Sequence, residues 1–334
     1  VHSQLSRQLN WNTLTPPNFP IGASSRELGM NTNRAEYLPH SGVMVEELTS
    51  IAEALPKGVF IDATYGYGSH FQELKQFDNL QLIGFDRDND AVEAKKAQDE
   101  VIKLNFSKIP EYLVQKNLTP ISGIFYDFGL SSHQIDSSTR GFSFQQDAEL
   151  DMRMDKDSSL TAKHIINEYS LEELLKVFNN YSEEKYAFQI AKKIIEHRPL
   201  STTVGLVNLI KDSIPRQNPI FTNKTIRKIF QGLRIEVNDE LSEIKTSLDG
   251  IRHHINRNGA IVCISYHSLE DKIVKSFMED LTIKCTCDPR APICNCNIEQ
   301  QFRYHKKKKY APSQEEMVLN PRSKSAIMRC VVKL

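Results

Sequence analysis

The sequence predicts an α/β fold: a doubly wound sheet with helices on both faces and a helical domain inserted part-way along the chain. Short apolar runs alternate with stretches of helical periodicity, which argues for parallel strands joined by crossover helices. The alternation breaks off near residue 133 and resumes near 236. The length of 334 residues suits roughly two domains, or one domain carrying an insertion.

Residues 43–55 (VMVEELTSIAEAL) place apolar side chains at helical spacing. Residues 58–64 (GVFIDAT) read as a short buried strand, and Gly66-Tyr67-Gly68 then turns into a helix over 69–75. Residues 80–86 (LQLIGFD) form a second strand, followed by a helix expected over 90–103. Residues 121–128 (ISGIFYDF) form another strand, ending on Asp127, and 133–160 are polar and irregular. Ser170 and Glu173 make a capping-box pattern ahead of Leu174, Leu175, Val177 and Phe178. Residues 183–197 set Ala187, Ile190, Ala191, Ile194 and Ile195 on one helical face, and a further helix covers 203–213. The α/β pattern resumes with a helix over 236–256, a strand at 259–266 (GAIVCISY) and a helix at 269–280. A cysteine- and lysine-rich loop over 284–310 precedes a closing strand at 326–334 (AIMRCVVKL). The expected division is therefore 37–135 and 221–334 for the two parts of the α/β domain, and 136–220 for the inserted helical domain. Residues 1–36, rich in Ser, Asn, Thr and Pro, read as a disordered lead or as an over-long start with Met30 as the first residue. They contain no signal-type apolar core, and their arginine content is low for a transit peptide.

Hydrophobic residues at 40% and charged residues at 25% exclude a largely disordered chain, a collagen-like fibre and a coiled coil. No run approaches the ~18 apolar residues of a spanning helix, so no membrane partner is expected. Lys plus Arg equals Asp plus Glu at 42 each, so any nucleic-acid surface has to be local.

Three motifs carry chemistry. In Asp62-Ala63-Thr64-Tyr65-Gly66-Tyr67-Gly68-Ser69-His70, a glycine pair between strand and helix lets the backbone approach a ligand closely. Asp86 ends the next strand, where a doubly wound sheet presents a carboxylate to ribose hydroxyls. Phe71 stands where a dinucleotide fingerprint needs its third glycine, which disfavours a pyrophosphate cofactor. S-adenosyl-L-methionine, an adenosyl compound without phosphates, fits better; a plain tight βα turn is the alternative. The second motif, Asp127-Phe128-Gly129-Leu130-Ser131-Ser132-His133-Gln134, sets an acid at a strand end before a loop of small residues. The third joins Arg140-Gly141-Phe142-Ser143-Phe144 to Leu150-Asp151-Met152-Arg153-Met154-Asp155, a surface loop whose arginines and aromatics suit phosphate contact and stacking.

Together with FDRD, YSEEKYAFQIA, FQGLRIEVNDEL, SYHSLEDKIVK and NPRSKSA, these blocks resemble, in order, the bacterial-type 16S ribosomal RNA (cytosine-N4)-methyltransferases. The resemblance runs from about residue 40 to 334. It implies a class I, Rossmann-like methyltransferase fold with a helical domain inserted after the strand ending at Asp127. It implies S-adenosyl-L-methionine as cofactor and a cytidine N4 amine in the decoding centre of the small ribosomal subunit as target, with a cytoplasmic location. A homodimer is a candidate assembly. The family pattern carries cofactor contacts onto Gly68, Ser69, His70, Asp86, Phe106, Asp127 and Gln134. Asp86 is expected on the ribose and Phe106 near the adenine, with Asp127 and Gln134 near the methionine end or the incoming base. Asp127 is the first candidate for the catalytic acceptor at N4–H, with Gln134 or a backbone carbonyl as alternatives. Four positions depart from the pattern: Ser69 replaces Gly, Gly42 replaces Pro, Lys272 replaces Arg and Tyr266 replaces Phe. The Ser69 β-carbon is expected to crowd the cofactor most.

Outside that pattern, Cys285, Cys287, Cys294 and Cys296 are spaced C-x-C-x6-C-x-C, tighter than the usual structural zinc spacing, and no metal is assigned to the site. Cys263 reads as a small buried hydrophobe, and His267 with Glu270 as a helix start rather than a metal pair. Three basic clusters could supply a local phosphate surface: Arg303 with His305 and Lys306–Lys309; Arg322, Lys324 and Arg329; and Lys224, Arg227, Lys228 and Arg234. Two other classes stay open, a methyltransferase of the same fold acting on DNA or protein, and a non-catalytic RNA-binding factor.

Overall fold

The computed structural model describes residues 42–137, 139–215, 218–287, 296 and 298–334. The expected lead at 1–36 lies outside them. The first elements are α1 (Val45–Ala52), β1 (Gly58–Asp62), α2 (Ser69–Leu74), β2 (Leu80–Asp86), α3 (Asn89–Glu93), β3 (Val101–Lys103), α4 (Ile109–Gln115) and β4 (Ile121–Asp127). A helical run follows: α5 (Ser132–Asp136), α6 (Ala162–Glu168), α7 (Leu171–Asn180), α8 (Ala187–Glu196), α9 (Thr203–Ser213) and α10 (Pro219–Asn238). The chain closes with α11 (Glu240–Ile251), β5 (Ile255–Ser265), α12 (Ser268–Leu281), β6 (Phe302–Tyr304), α13 (Gln314–Leu319) and β7 (Ile327–Lys333).

The strands form one sheet in the order β3-β2-β1-β4-β5-β7-β6. The first five run parallel; β7 is antiparallel to β5, and β6 antiparallel to β7. Alternate residues feed two cores. Ile61, Ile124, Tyr126, Ile261, Cys263 and Val331 face α4, α11 and α12, while Phe60, Phe125, Val262, Met328 and Cys330 face the side covered by α1 and α2. Burial on both faces is why these strands read as continuous apolar runs. Cys263 is fully buried in this packing. No helix among the described residues is long and apolar enough to cross a membrane.

The helix expected over 90–103 is a five-residue turn of helix, Asn89–Glu93, and Val101–Lys103 joins the sheet beside β2 instead. The intervening AKKAQDE has no apolar face to hold a helix against the sheet, so the short helix is not extended. The helix expected over 236–256 is divided. Asp239 adopts a left-handed conformation (φ 49°) that ends α10 and starts α11, and Ile255 already pairs with Ile121 in the sheet. Helix α10 lies outside the sequence expectation. Its Ile226, Ile229, Phe230, Leu233 and Val237 pack into the helical core with Ile165, Leu174, Phe178, Ile190 and Ile210, so that core extends past the expected boundary at 220.

Candidate functional site

The chain runs outward from β1 through β2 to β3, then returns to lay β4 on the other edge of β1. This change of direction opens a crevice at the carboxyl ends of the strands, where doubly wound sheets take their ligands. Asp62 ends β1, Asp86 ends β2 and Asp127 ends β4. Asp62 pairs in register with Gly84 and Phe125, so Asp86 and Asp127 flank it, each two residues further along its strand.

No lysine or arginine among the described residues forms an ion pair with any of the three. Burial pushes the Asp62 carboxyl up to about 8, against a single N–H from Thr64 at 3.2 Å on Oδ1. Its Oδ2 is buried without a hydrogen-bond partner. Burial raises Asp86 only to about 6, because the backbone N–H groups of Asp88 and Gly66 donate to its two oxygens at 2.8 and 2.7 Å. Each oxygen keeps a lone pair for a further donor. Burial also raises Asp127, opposed by the neighbouring His70, the Gly129 N–H at 3.1 Å and the Tyr266 hydroxyl. The Asp127 backbone N–H donates to Thr64 Oγ1 at 2.7 Å, which locks β4 to the glycine turn.

That turn needs its glycines. Gly66 and Gly68 have φ of 54° and 77°, and a β-carbon at Gly68 would meet the Tyr65 hydroxyl at 2.7 Å. Tyr65 cannot retreat, since its hydroxyl donates to Asp99 at 2.8 Å, where Lys75 and Gln72 also converge. Ser69 is the first residue of α2 and half-buried. His70 turns toward the acid at β4: its Nε2 lies 2.9 Å from the Val43 carbonyl, and its Nδ1 lies 4.0 Å from Asp127 Oδ2. With Nε2 donating to Val43, the neutral ring offers Nδ1 as an acceptor. Phe106 follows β3 and stands half-buried, edge-on to Tyr126 and Phe128 at 5.9 and 5.8 Å.

Gln134 is placed differently from the others. Its Oε1 accepts from Ser131 N–H at 3.1 Å in the capping box of α5, and its Nε2 donates to Asp88 Oδ2 at 2.8 Å. Each end of the amide thus makes one bond within the protein. Arg140, expected in a surface loop, is also buried. Its guanidinium binds Asp88 at 3.0 Å, Asp90 at 2.7 Å and the carbonyls of Arg153 and Met154 at 2.8 and 2.9 Å. Arg153 is bidentate on Asp151 at 2.8 and 2.9 Å. Arg140 fastens the segment after α5 to the turn between β2 and α3, Arg153 braces that segment internally, and neither leaves a free fork for phosphate.

The basic clusters divide in the same way. Arg329 is paired with Asp271, Arg234 with Glu240, and Arg322 with Asp136. Lys306–Lys309, Lys224, Arg227 and Lys324 are exposed. His267 and Glu270 do start a helix: Glu270 accepts from the backbone of Tyr266 at 2.7 Å and of His267 at 3.2 Å. Glu240 joins them, but Arg234 already lies 2.8 Å from Glu240 and 3.6 Å from Glu270, supplying the positive charge a metal would bring.

Residues 37–334 match the MraW methylase family. The chain belongs to that family. The ribosomal RNA small subunit methyltransferase H of Caldicellulosiruptor bescii is 40% identical over 306 residues, covering 88% of this chain and 99% of its own length. Proteins of the same name from Halothermothrix orenii and Clostridioides difficile are each 38% identical, covering 87% and 88% of this chain and 97% and 99% of their own lengths. As an MraW-family methylase the chain is an enzyme, a methyltransferase of the class I fold. Asp62, Thr64 and the Tyr266 hydroxyl were not singled out from sequence, although each lies within a quoted block. Asp62 had a signal of its own, an acid at a strand end directly before a glycine turn.

Proposed function

We propose that this methylase transfers a methyl group from S-adenosyl-L-methionine to the N4 amine of a cytidine in the decoding centre of 16S ribosomal RNA, acting on the small ribosomal subunit in the cytoplasm. The observation that carries this is the near-full-length identity, about two residues in five, with relatives named for small-subunit ribosomal RNA methylation.

The crevice fits the cofactor in three respects. The orphaned, buried Oδ2 of Asp62 calls for a cationic or N–H partner, which the amino group of the methionine end supplies. Asp86, held by two backbone donors with lone pairs to spare, suits ribose hydroxyls. Gly66 presents bare backbone with no atom nearer than 3.8 Å to where a β-carbon would stand, which leaves room for a ligand. Phe106 offers an aromatic edge for the adenine, and Ser69 and Gly68 line the turn. S-adenosyl-L-methionine contributes an electrophilic methyl group on a sulfonium.

The protein's own task is to position and activate the amine. The N4 lone pair of cytosine is delocalised into the ring, so near-attack geometry is the largest contribution available to the enzyme. Asp127 Oδ2 and His70 Nδ1 face each other across 4.0 Å. Asp127 Oδ2 can accept an N–H of the amine, orienting it and offsetting the positive charge that grows as it attacks. Once methylated, the nitrogen sheds its extra proton readily, so no strong base is needed. We take Asp127, at the end of β4, as the side-chain acceptor, with Gln134 bracing the cofactor region through Asp88. The target base has to leave its stack to reach the crevice. Exposed Lys306–Lys309, Lys224, Arg227 and Lys324 are cations available to the RNA backbone.

The test is methyl transfer from labelled S-adenosyl-L-methionine to unmethylated small subunits, wild type beside Asp127→Ala, with the product nucleoside identified by mass. N4-methylated cytidine from wild type and a drop in kcat of about 10²–10³-fold in the variant are expected. Label on another base or on protein overturns the substrate; an unchanged kcat in the variant removes Asp127 from the mechanism.

A further inference from the structure

Spacing alone argued against a metal at the cysteine run, but the fold alters the balance. Cys285 and Cys287 follow α12, whereas Cys296 comes from the other end of the loop that leads to β6. Cys285 Sγ and Cys296 Sγ nevertheless stand 3.6 Å apart, and the Sγ atoms of Cys285, Cys287 and Cys296 all lie within 4.8 Å of one another. Thiolates held at about 2.3 Å by a tetrahedral zinc stand roughly 3.8 Å from each other. The separation is far longer than an S–S bond of about 2.05 Å, so the pair is gathered without being joined. A second feature points the same way: the backbone N–H of Cys287 donates to Cys285 Sγ at 3.3 Å. Cys285 is exposed and the other two half-exposed, so an ion can enter from solvent. Cys294, the fourth cysteine of the run, lies outside the described residues.

We propose that Cys285, Cys287 and Cys296 are ligands of a single Zn²⁺ that ties the end of α12 to the strand edge at β6. The donor set is soft thiolate, which selects zinc over magnesium or calcium. Each thiol gives up its proton as its sulfur binds, so three protons leave with the three sulfurs and occupancy falls in acid. The role is structural: the ion holds the end of α12 to the chain ahead of β6 and the exposed lysines at 306–309. It is independent of the methyl-transfer reading.

The experiment uses the full chain, purified under reducing conditions with added Zn²⁺ and analysed by elemental mass spectrometry. About one zinc per chain is expected, with loss of that zinc in both Cys285→Ser and Cys296→Ser. Exchange with Co²⁺ should produce an intense thiolate-to-cobalt absorption band that the same variants lack. If a variant misfolds by circular dichroism, wild type alone decides: stripping with a chelator should expose at least three additional thiols to a thiol reagent. No zinc on wild type, no thiolate-to-cobalt band, or unchanged thiol reactivity after stripping overturns the proposal.

Discussion

Asp86 and Asp88 are two residues apart, yet they serve opposite electrostatic surroundings. Asp86, with Asp62 and Asp127, borders a crevice where, among the described residues, no lysine or arginine forms an ion pair with the three carboxyls. Asp88, with Asp90 and Asp151, lies on the seam between the β2 edge and the segment after α5, where Arg140, Lys156 and Arg153 meet them. The titration follows. Burial raises Asp62 to about 8 and Asp86 to about 6. At the seam burial acts the same way, but Lys156 and Arg140 outweigh it at Asp90, and Arg153 outweighs it at Asp151, so both carboxyls fall below their ordinary range. Acids compensated within the chain hold the fold; acids left uncompensated are available to a ligand.

Breaking the seam should have the largest effect. Arg140→Ala leaves Asp88 buried without its guanidinium and frees two backbone carbonyls. A stability loss of about 3–5 kcal/mol, read from the denaturation midpoint, is expected. Arg140→Lys should recover only part of it, because one ammonium cannot reach two carboxylates and two carbonyls as a planar fork does. A loss below about 1 kcal/mol in the alanine variant would show that the seam is held by apolar packing instead.

At the crevice the sign reverses. The folded carboxyl of Asp62 titrates near 8, against an ordinary value of 3.8. Between those values the native state holds a proton that the unfolded state has lost, so this group's contribution to stability declines as pH rises through that window. Asp62→Asn should therefore flatten the dependence and melt above wild type at pH 8–9, while binding S-adenosyl-L-methionine about tenfold or more weakly. In wild type, affinity for that cationic ligand should increase with pH toward 8 as the carboxylate forms. Thermal melts across pH together with calorimetric binding check both halves. A variant that is both less stable at high pH and unimpaired in binding would remove Asp62 from the uncompensated set.

The contrast also explains what could be read from sequence. The strand runs and the acids Asp86 and Asp127 at their ends were legible, because burial on both faces leaves continuous apolar letters that end on an acid; Asp62 was passed over. The Ser170–Glu173 cap was legible because both partners lie within one turn. The state of a charge was not. Arg140 looked like a surface arginine, since its partners Asp88 and Asp90 lie 52 and 50 residues earlier. The bond from Gln134 to Asp88 was hidden for the same reason, since it spans 46 residues. The convergence of Cys285 and Cys296 was hidden likewise, as it depends on where α12 ends and β6 begins. Helix α10 was passed over although Ile226, Ile229, Phe230, Leu233 and Val237 stand at helical spacing.

Tyr266 offers the finest adjustment of the comparison, because it compensates an edge acid without a charge. Its hydroxyl hydrogen-bonds Asp127 and opposes the upward push of burial on that carboxyl. Its ring also fills the space beside Gly129, where a β-carbon would come within 2.6 Å of it. Tyr266→Phe keeps the ring and deletes the donor. The Asp127 carboxyl should then rise further, so a smaller fraction is ionised at neutral pH. The expected cost is about 1 kcal/mol, roughly a fivefold fall in kcat, with the acid limb of the pH–rate profile moved upward. KM for the ribosomal subunit should stay unchanged, since nothing that meets the RNA backbone is altered. If kcat falls but the acid limb stays in place, the hydroxyl orients Asp127 without tuning it. If neither moves, the phenol is packing alone, and the crevice acids are even less compensated than the structure suggests.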